Sequence, residues 1–207
     1  MFHWPDVLRE KGRDSNMSNV FVSMGMSLDG CIEGPNASLE NMGRDGWGDL
    51  HDRTGASIVG KRMFEAGERS WPEEPPFHTP VFVVTHEVRA PWARKGGTTF
   101  HFVNEGIDDA LRRAREVCGG KDIRISGGAN LVGQYVNAGV VDELALSVAP
   151  TLLAGKRLFD GIDPNAVGLE IIEVLASSKV THLRYAVKPG HGLPASPSVV
   201  EVSPTAR

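Results

Sequence analysis

Residues 123–139 read IRISGGANLVGQYVNAG. A short apolar run that ends in Ser-Gly-Gly leads straight into a segment with helical spacing, which predicts a strand, a tight turn and a helix from about Asn130 to Asn137. Gly127 and Gly128 leave the backbone N–H groups of that turn uncovered by side chains. Such a point attracts anions, because first-turn donors are unpaired and the helix dipole is positive there. The alternative is that the glycines only make the turn.

Other strand-like runs, rich in Val, Ile and Phe, recur along the chain. Between the earlier ones lie helical patterns, of which GIDDALRRAREVCGG (106–120) is the clearest. This alternation predicts an α/β domain of three layers with a largely parallel sheet, and the last two runs predict an antiparallel hairpin at one edge. The predicted strands are 20–27, 57–60, 81–84, 100–103, 122–126, 142–150, 169–177 and 180–187.

Composition narrows the class of protein. The 207 residues suit one globular domain, with 41% hydrophobic and 23% charged residues. No apolar run approaches the roughly 20 residues of a membrane span, and the net charge of -4 argues against a nucleic-acid partner. Cys31 and Cys118 lack the spacing of a zinc site or a disulfide framework, and the histidines show no metal spacing. We therefore expect a small-molecule partner, no metal, and a reducing, cytoplasmic setting.

The two ends of the chain differ from its middle. Residues 1–18 carry charges of both signs without the apolar stretch of a secretory signal, and we interpret them as an extension or an upstream start ahead of Met17. Residues 189–207 are rich in Pro, Ser and Gly without a sustained period, which is typical of a tail. The predicted domain is 19–188.

Two further strand ends carry phosphate-binding chemistry. After Gly60, the cations Lys61 and Arg62 stand in the first turn of a predicted helix, where they are unfavourable against the helix dipole unless an anion compensates. Thr85 and His86 follow another strand. Each of these features also fits an ordinary solvated turn. Neither G-x-G-x-x-G after the first strand nor G-x-x-x-x-G-K-[ST] is present, so the usual nucleotide fingerprints do not explain the pattern.

The ordered set of motifs resembles the dihydrofolate reductase fold, and within it the reductase domain of the bacterial bifunctional deaminase-reductase of riboflavin biosynthesis. The resemblance covers about residues 19–188. It rests on SMGMSLDGCIEGPN (23–36), VGKRMFE (59–65), VFVVTH (81–86), ISGGANLVGQ (125–134) and VDELALSVAPTLLAGKRLF (141–159). The zinc-deaminase signature H-x-E with P-C-x-x-C is missing. The resemblance therefore implies a stand-alone reductase, and relatives of this kind are commonly homodimers.

In that family NADPH lies across the carboxyl ends of the central strands. The resemblance implies that Gly127 and Gly128 flank the pyrophosphate, joined by a cis peptide bond as in relatives. It implies that Met63 stands where the family has a hydroxyl residue, and that Thr85 and His86 border the 2′-phosphate. The cofactor-binding residues that it implies are Gly25, Ile32, Gly60, Lys61, Arg62, Met63, Thr85, His86, Ser126, Gly127, Gly128, Ala129, Asn130 and Leu131.

Hydride comes from the cofactor, so the protein has to position the substrate and help to deliver a proton. Asp29 in SLDG matches the family's acid, with a capping or turn role as the alternative. Asp49 is the second acid candidate. Trp47 can stack on a flat heterocycle or serve the core, and Ser147 interrupts an apolar strand and can face the substrate or be an ordinary strand hydroxyl.

The prediction is an NADPH-dependent reductase of a small nitrogen heterocycle, of pterin or 5-amino-6-ribosylaminopyrimidine type. One alternative is true dihydrofolate reduction, which needs a carboxylate deep in the pterin pocket. The other is a nucleotide- or flavin-binding module without turnover. The edge hairpin at 169–187 predicts a homodimer, because an exposed apolar edge is otherwise a liability.

Overall fold

The computed structural model describes residues 18–34, 48–165 and 167–190. Strands and helices alternate through most of this part of the chain. In order they are β1 (Val20–Ser27), β2 (Cys31–Glu33), α1 (Gly48–Arg53), β3 (Thr54–Gly60), α2 (Lys61–Glu68), β4 (Pro80–Val84), β5 (Trp92–Ala93), β6 (Thr99–Val103), α3 (Ile107–Val117), β7 (Asp122–Ile125), α4 (Ala129–Asn137), β8 (Glu143–Ala149), β9 (Lys156–Arg157), β10 (Val167–Ala176) and β11 (Thr181–Pro189).

Nine strands form one sheet in the order β10-β11-β8-β1-β7-β3-β4-β6-β5. The six strands from β8 to β6 pair in parallel, while β10, β11 and β5 run antiparallel to their neighbours. The largely parallel sheet and the C-terminal edge hairpin are confirmed. The sequence did not predict β5 or the small β2–β9 pair, because strands of two or three residues are too short to show alternation.

Helices α3 and α4 cover one face of the sheet and complete its main core. Alternate residues of the central strands, such as Val20, Val22, Ile123 and Ile125, pack there in one continuous cluster with the apolar side of both helices. The buried Tyr135 joins the two helices, since its hydroxyl donates to the Ile107 carbonyl at 2.8 Å. A continuous core on this face is the main source of fold stability.

Helices α1 and α2 cover the opposite face, where the apolar packing is divided in two. Around Phe64 of α2 lies an aromatic cluster that includes Phe100 and Trp71, with rings 5.1 to 6.1 Å from the Phe64 ring. A smaller cluster holds Phe21 with Leu50 of α1 and Ala145. Together with the first face, this gives the three layers that the sequence predicts.

A network of charges fixes the end of α1 to the sheet. One Nη atom of Arg53 lies 2.8 Å from Glu143 Oε1 and the other 3.3 Å from Asp122 Oδ2, and its guanidinium stacks 4.3 Å above the Phe21 ring. Glu143 also accepts from Arg184 Nε at 3.1 Å. Burial raises the pKa of Asp122, although Arg53 opposes this. Because removing one member of such a buried group leaves a charge uncompensated, the network holds α1 in place.

None of the helices in the described ranges has the length and apolar character needed to cross a membrane. The predicted extension at 1–18 and tail at 189–207 lie almost entirely outside the described residues, so these boundaries stay predictions.

Candidate active site

A cleft of about 720 Å³ opens where the carboxyl ends of the parallel strands meet the first turns of α2 and α4. This is the place at which open α/β sheets usually bind ligands. Ten of the predicted cofactor residues line it: Ile32, Gly60, Lys61, Arg62, Met63, Thr85, His86, Gly128, Asn130 and Leu131. The predicted strand ends at Gly60, Thr85 and Gly128 therefore meet at one cleft. Their role in binding a cofactor stays a prediction.

The glycine pair, Gly127 and Gly128, lies where these strand ends meet. The Gly127–Gly128 peptide bond is cis, which confirms the bond implied by the resemblance. The carbonyl of Gly127 accepts from the Gly60 N–H at 2.7 Å, so the β7–α4 and β3–α2 junctions are tied to each other. Gly127 has φ +98°, and a Cβ there would lie 2.5 Å from the sulfur of Met24. The Met24 side chain and the left-handed backbone together explain why no side chain is tolerated.

Both helices begin at a glycine. The N-cap residues are Gly60 for α2 and Gly128 for α4, neither helix has a side-chain cap, and neither carries an acidic residue in its first turn. The first-turn N–H groups are therefore not satisfied by the protein's own side chains. Two positive helix ends face one cleft, which suits a ligand with more than one phosphate.

The cations in the first turn of α2, Lys61 and Arg62, add to the positive potential of the two helix ends, but the charge of Lys61 is partly neutralised. Lys61 Nζ donates to Glu87 Oε1 at 2.5 Å and lies 3.7 Å from Glu65 Oε1. The hydrogen bond to Glu87 raises the pKa of Lys61, and the same contact lowers the pKa of Glu87. Arg62 is exposed and forms no ion pair with any other residue that the structure describes.

The third junction follows β4. Thr85 is buried, with its N–H donating to the Val103 carbonyl at 3.0 Å and its hydroxyl accepting from the Glu87 N–H at 3.1 Å. His86 is exposed at the rim of the cleft. The sequence predicts that Met63 stands where the family has a hydroxyl residue. The thioether of Met63 cannot donate the hydrogen bond that a hydroxyl would.

The other predicted cofactor residues do not line the cleft. Gly127 and Ala129 are buried beneath the turn. Gly25 pairs with Ser147 across β1 and β8. Ser126 is 2% exposed, and its hydroxyl has no hydrogen-bond partner among the residues that the structure describes. Their assignment to the cofactor stays a prediction, and Ser126 lies at the face of the sheet that α1 and α2 cover.

Asp29 is engaged in the chain's own structure. Its carboxylate accepts from the Ser27 hydroxyl at 2.5 Å and from the backbone N–H groups of Leu153 and Ala154 at 3.1 and 2.8 Å. These bonds, with the Ser27 bond first, hold the pKa of Asp29 well below its usual range. An ionised carboxylate has no proton to deliver, so this geometry favours the turn role that was the alternative reading of SLDG. The acid role of Asp29 stays a prediction without geometric support.

Two further predicted residues lie where the structure gives no side-chain description. Asp49 belongs to α1, but its side chain is outside the described set, and Trp47 lies in the gap before Gly48. Ser147 is described. Its hydroxyl lies 2.9 Å from Nδ1 of His182, which links β8 to β11 on the face that α1 covers.

Sequence reasoning missed several residues of the cleft wall. Some follow β6, a fourth strand end whose loop Asn104-Glu105-Gly106 gives only a glycine as a signal. Others come from strands and helices whose side chains reach the cleft only through the tertiary fold. Glu33 of β2 also lines the cleft, and the residues that were missed are Met24, Ala66, Val84, Asn104, Gly106, Ile107, Gln134 and Lys156.

Among solved structures, the chain shares its fold with a putative riboflavin biosynthesis protein from Shewanella sp. PV-4 (TM-score 0.64, 19% identity, 83% of this chain and 99% of that one). The bifunctional deaminase/5-amino-6-(5-phosphoribosylamino)uracil reductase of Thermotoga maritima gives a TM-score of 0.59 at 13% identity, over 83% and 57% of the chains. Dihydrofolate reductase from Enterococcus faecalis, complexed with NADP(H), gives 0.56 at 16% identity, over 82% and 96%. The fold is therefore dihydrofolate reductase-like.

In sequence, the chain is 27% identical over 150 residues to the uncharacterised protein YyaP of Bacillus subtilis, which covers 68% of this chain and 79% of YyaP. The model of the RibD C-terminal domain matches residues 18–183. That span contains both glycine-capped helices and every residue that lines the cleft between them. The chain belongs to the RibD C-terminal domain family.

Proposed function

We propose that the protein is an NADPH-dependent reductase that transfers hydride to a small nitrogen heterocycle, of the aminopyrimidine or pterin type. The observation that carries the proposal is the convergence of two glycine-capped helix starts, joined by the Gly60–Gly127 hydrogen bond, on one cleft beside Lys61 and Arg62. Family membership supports a reductase, and NADP(H) is the ligand of the Enterococcus faecalis dihydrofolate reductase of the same fold.

The residues of the cleft fit such a cofactor. A Cβ on Gly128 would lie 3.8 Å from Ile32 Cδ1, in the space that a ligand backbone or ring would use. The unpaired first-turn N–H groups of α2 and α4 would hold the pyrophosphate, with Arg62 as counter-charge. Met24, Ile32 and Leu131 provide the apolar part of the wall. When bound, the reduced nicotinamide supplies the hydride.

The chain's own residues orient the reactants rather than carry the electrons. Asp29 fixes the loop at Leu153 and Ala154 beside the end of β1. Asp49 is the remaining candidate for proton delivery, and an ordered water is the other route.

A pyrimidine is the preferred substrate class because the Thermotoga maritima neighbour is a 5-amino-6-(5-phosphoribosylamino)uracil reductase and the family model is that of the RibD C-terminal domain. Pterins come second, through the dihydrofolate reductase neighbour. We place the reaction in the cytoplasm, where NADPH is available and the two buried free cysteines, Cys31 and Cys118, stay reduced.

The test is consumption of NADPH, followed by loss of the reduced nicotinamide absorbance, with a panel of aminopyrimidines, pterins and simple carbonyls. Turnover with at least one heterocycle supports the proposal. Turnover of dihydrofolate with inhibition by methotrexate would instead establish true dihydrofolate reduction. Tight NADPH binding without consumption of any panel member would make the protein a nucleotide-binding module, and absence of NADPH binding would end the proposal.

A further inference from the structure

A row of alternating charges crosses the sheet from its C-terminal edge to α1. It follows the strand order β10-β11-β8-β1-β7. Arg184 of β11 donates from Nη1 to Glu173 Oε2 of β10 at 3.2 Å, and from Nε to Glu143 Oε1 of β8 at 3.1 Å. The same Glu143 oxygen accepts from Arg53 Nη2 at 2.8 Å, and Arg53 Nη1 lies 3.3 Å from Asp122 Oδ2 of β7. We call these five residues the charge row.

The middle of the charge row is buried, while its outer end is partly exposed. The side chains of Glu143 and Arg184 are 2% and 5% exposed, whereas that of Glu173 is 38% exposed. A buried ion pair offsets the loss of hydration only while each charge keeps its partner. Arg184 lies between two carboxylates and Glu143 between two guanidinium groups, so displacing one member weakens the hold on the next. The members of the charge row therefore depend on one another.

Helix α1 relies on such contacts because it is short. A helix of six residues is not stable by itself, so its position is set by what it packs against. Leu50 gives it an apolar contact in the small cluster at Phe21, and Lys121 Nζ donates to the carbonyl of Asp52 at 2.9 Å. Arg53, its last residue, is the point at which α1 joins the charge row. The hold of the sheet on α1 therefore depends in part on charges that lie on other strands.

We propose that Arg184 and Glu143 are positioning residues that couple the edge hairpin to α1, so that the Glu173 contact on β10 sets how firmly α1 is held on the sheet. The consequence for the reaction rests on the proposed function, in which α1 carries Asp49, the candidate for proton delivery. The coupling between the hairpin and α1 does not rest on it, because the contacts that form the charge row belong to the fold.

Hydrogen exchange of the ligand-free protein tests the coupling at a distance. Glu173→Gln removes the charge at the outer end of the charge row and leaves α1 itself unchanged. We expect the backbone amides at the end of α1 to exchange about two- to five-fold faster in this variant. Glu170→Gln is the matched control, because Glu170 lies on the same strand and pairs with Lys188 at 3.5 Å, outside the charge row. The control should leave exchange in α1 unchanged.

A double-substitution cycle separates coupling from two local effects. In the Arg53→Met background α1 is already detached from the charge row, so Glu173→Gln should have no further effect on exchange in α1. Additive effects, or faster exchange that is confined to β10 and β11, would overturn the inference. If Arg53→Met does not fold, Arg53→Lys replaces it and should reduce the effect of Glu173→Gln, because an ammonium group lacks the fork that reaches two carboxylates.

Steady-state kinetics with NADPH and a heterocycle that is turned over give the second readout. Glu173→Gln should lower kcat about two-fold or more and leave KM for NADPH unchanged, because α2 and α4, rather than α1, begin at the cofactor cleft. A variant that changes KM for NADPH and not kcat would contradict the positioning role. Absence of turnover by the parent protein would count against the proposed function alone, because the hydrogen-exchange measurements need neither cofactor nor substrate.

Discussion

At the scale of single residues, the contacts of a side chain decide between roles that the sequence leaves open. SLDG predicts both an acid and a turn residue at Asp29, and only its four hydrogen-bond donors, Ser27, Cys31, Leu153 and Ala154, separate the two. Two of these donors are 124 and 125 residues away in the chain. No local sequence pattern reveals a hydrogen-bond partner so far away in the chain. The positions of the turn glycines could therefore be predicted from the sequence, whereas the ionised, hydrogen-bonded state of the Asp29 carboxylate could not.

The lowered pKa of Asp29 gives a pH dependence with a definite sign. Because the folded state lowers this pKa, the carboxylate stabilises the fold above the ordinary carboxyl range, and that stabilisation is lost as the pH falls below about 4. We expect Asp29→Asn to lower Tm by about 2–4 °C at pH 7, with a difference from the parent protein that shrinks toward pH 3. The exposed Asp160→Asn is the control in the same thermal melts. A difference that stays constant with pH would contradict the assignment.

If the proposed cofactor binds here, Glu87 competes with its phosphate for Lys61. The sequence predicts a basic rim, yet the Lys61 ammonium already contacts the carboxylates of Glu87 and Glu65. An exposed ion pair contributes at most about 1 kcal/mol, so we expect Glu87→Gln to strengthen NADPH binding about 2- to 5-fold and to leave NADH binding nearly unchanged. Fluorescence titrations of both nucleotides check this.

Glu73→Gln, which removes a comparable pair with Lys95 on an exposed surface, is the matched control for the Glu87 variant. Equal gains for NADPH and NADH would mean that Glu87 does not face the phosphate that distinguishes them.

At the scale of elements, hydrophobic patterning predicted the eight longer strands and the three helices that follow strand ends, while α1, with six residues, and the two-residue strands β5 and β9 gave no pattern. The same logic explains the site. Strand ends can be located from sequence, so the junctions at Gly60, Thr85 and Gly127 were found. The ion pairs of Arg53 with Asp122 and Glu143 join residues far apart in the chain, so they were not found.

The two ends of α4 allow a matched test of the glycine turn. Gly127 and Gly139 both have positive φ, but an added Cβ would meet Met24 at 2.5 Å only at Gly127 and would meet nothing within 4 Å at Gly139. Both substitutions by Ala should destabilise the fold by about 1 kcal/mol through the backbone. Only Gly127→Ala should also weaken NADPH binding, by about ten-fold or more, in titrations below the Tm of both variants. If both substitutions changed NADPH binding equally, the glycine turn would not be part of the binding site.

At the scale of the whole molecule, the C-terminal edge of the sheet is the surface most in need of a partner. Among the strands that the structure describes, β10 bonds only to β11, and Leu169, Ile171 and Val174 are 50%, 67% and 52% exposed. Such an apolar edge invites association. We therefore propose a homodimer through this hairpin, in line with the expectation from the sequence.

Light scattering at micromolar concentration should give the mass of a dimer, and Ile171→Lys should shift it toward the monomer with Tm otherwise nearly unchanged. The control is Val117→Lys, on α3, which is also an exposed apolar residue but lies away from the edge. A parent protein that is monomeric, or an Ile171→Lys variant that remains a dimer, would contradict the proposed interface.

The uneven division of apolar packing between the two faces has a consequence for how such a protein can change over time. The continuous cluster beneath α3 and α4 secures the architecture, so substitutions on the far side of the sheet can change the packing there while the fold survives. A chain built in this way can exchange residues between the aromatic cluster around Phe64 and the small cluster at Phe21 without disturbing the core beneath α3 and α4.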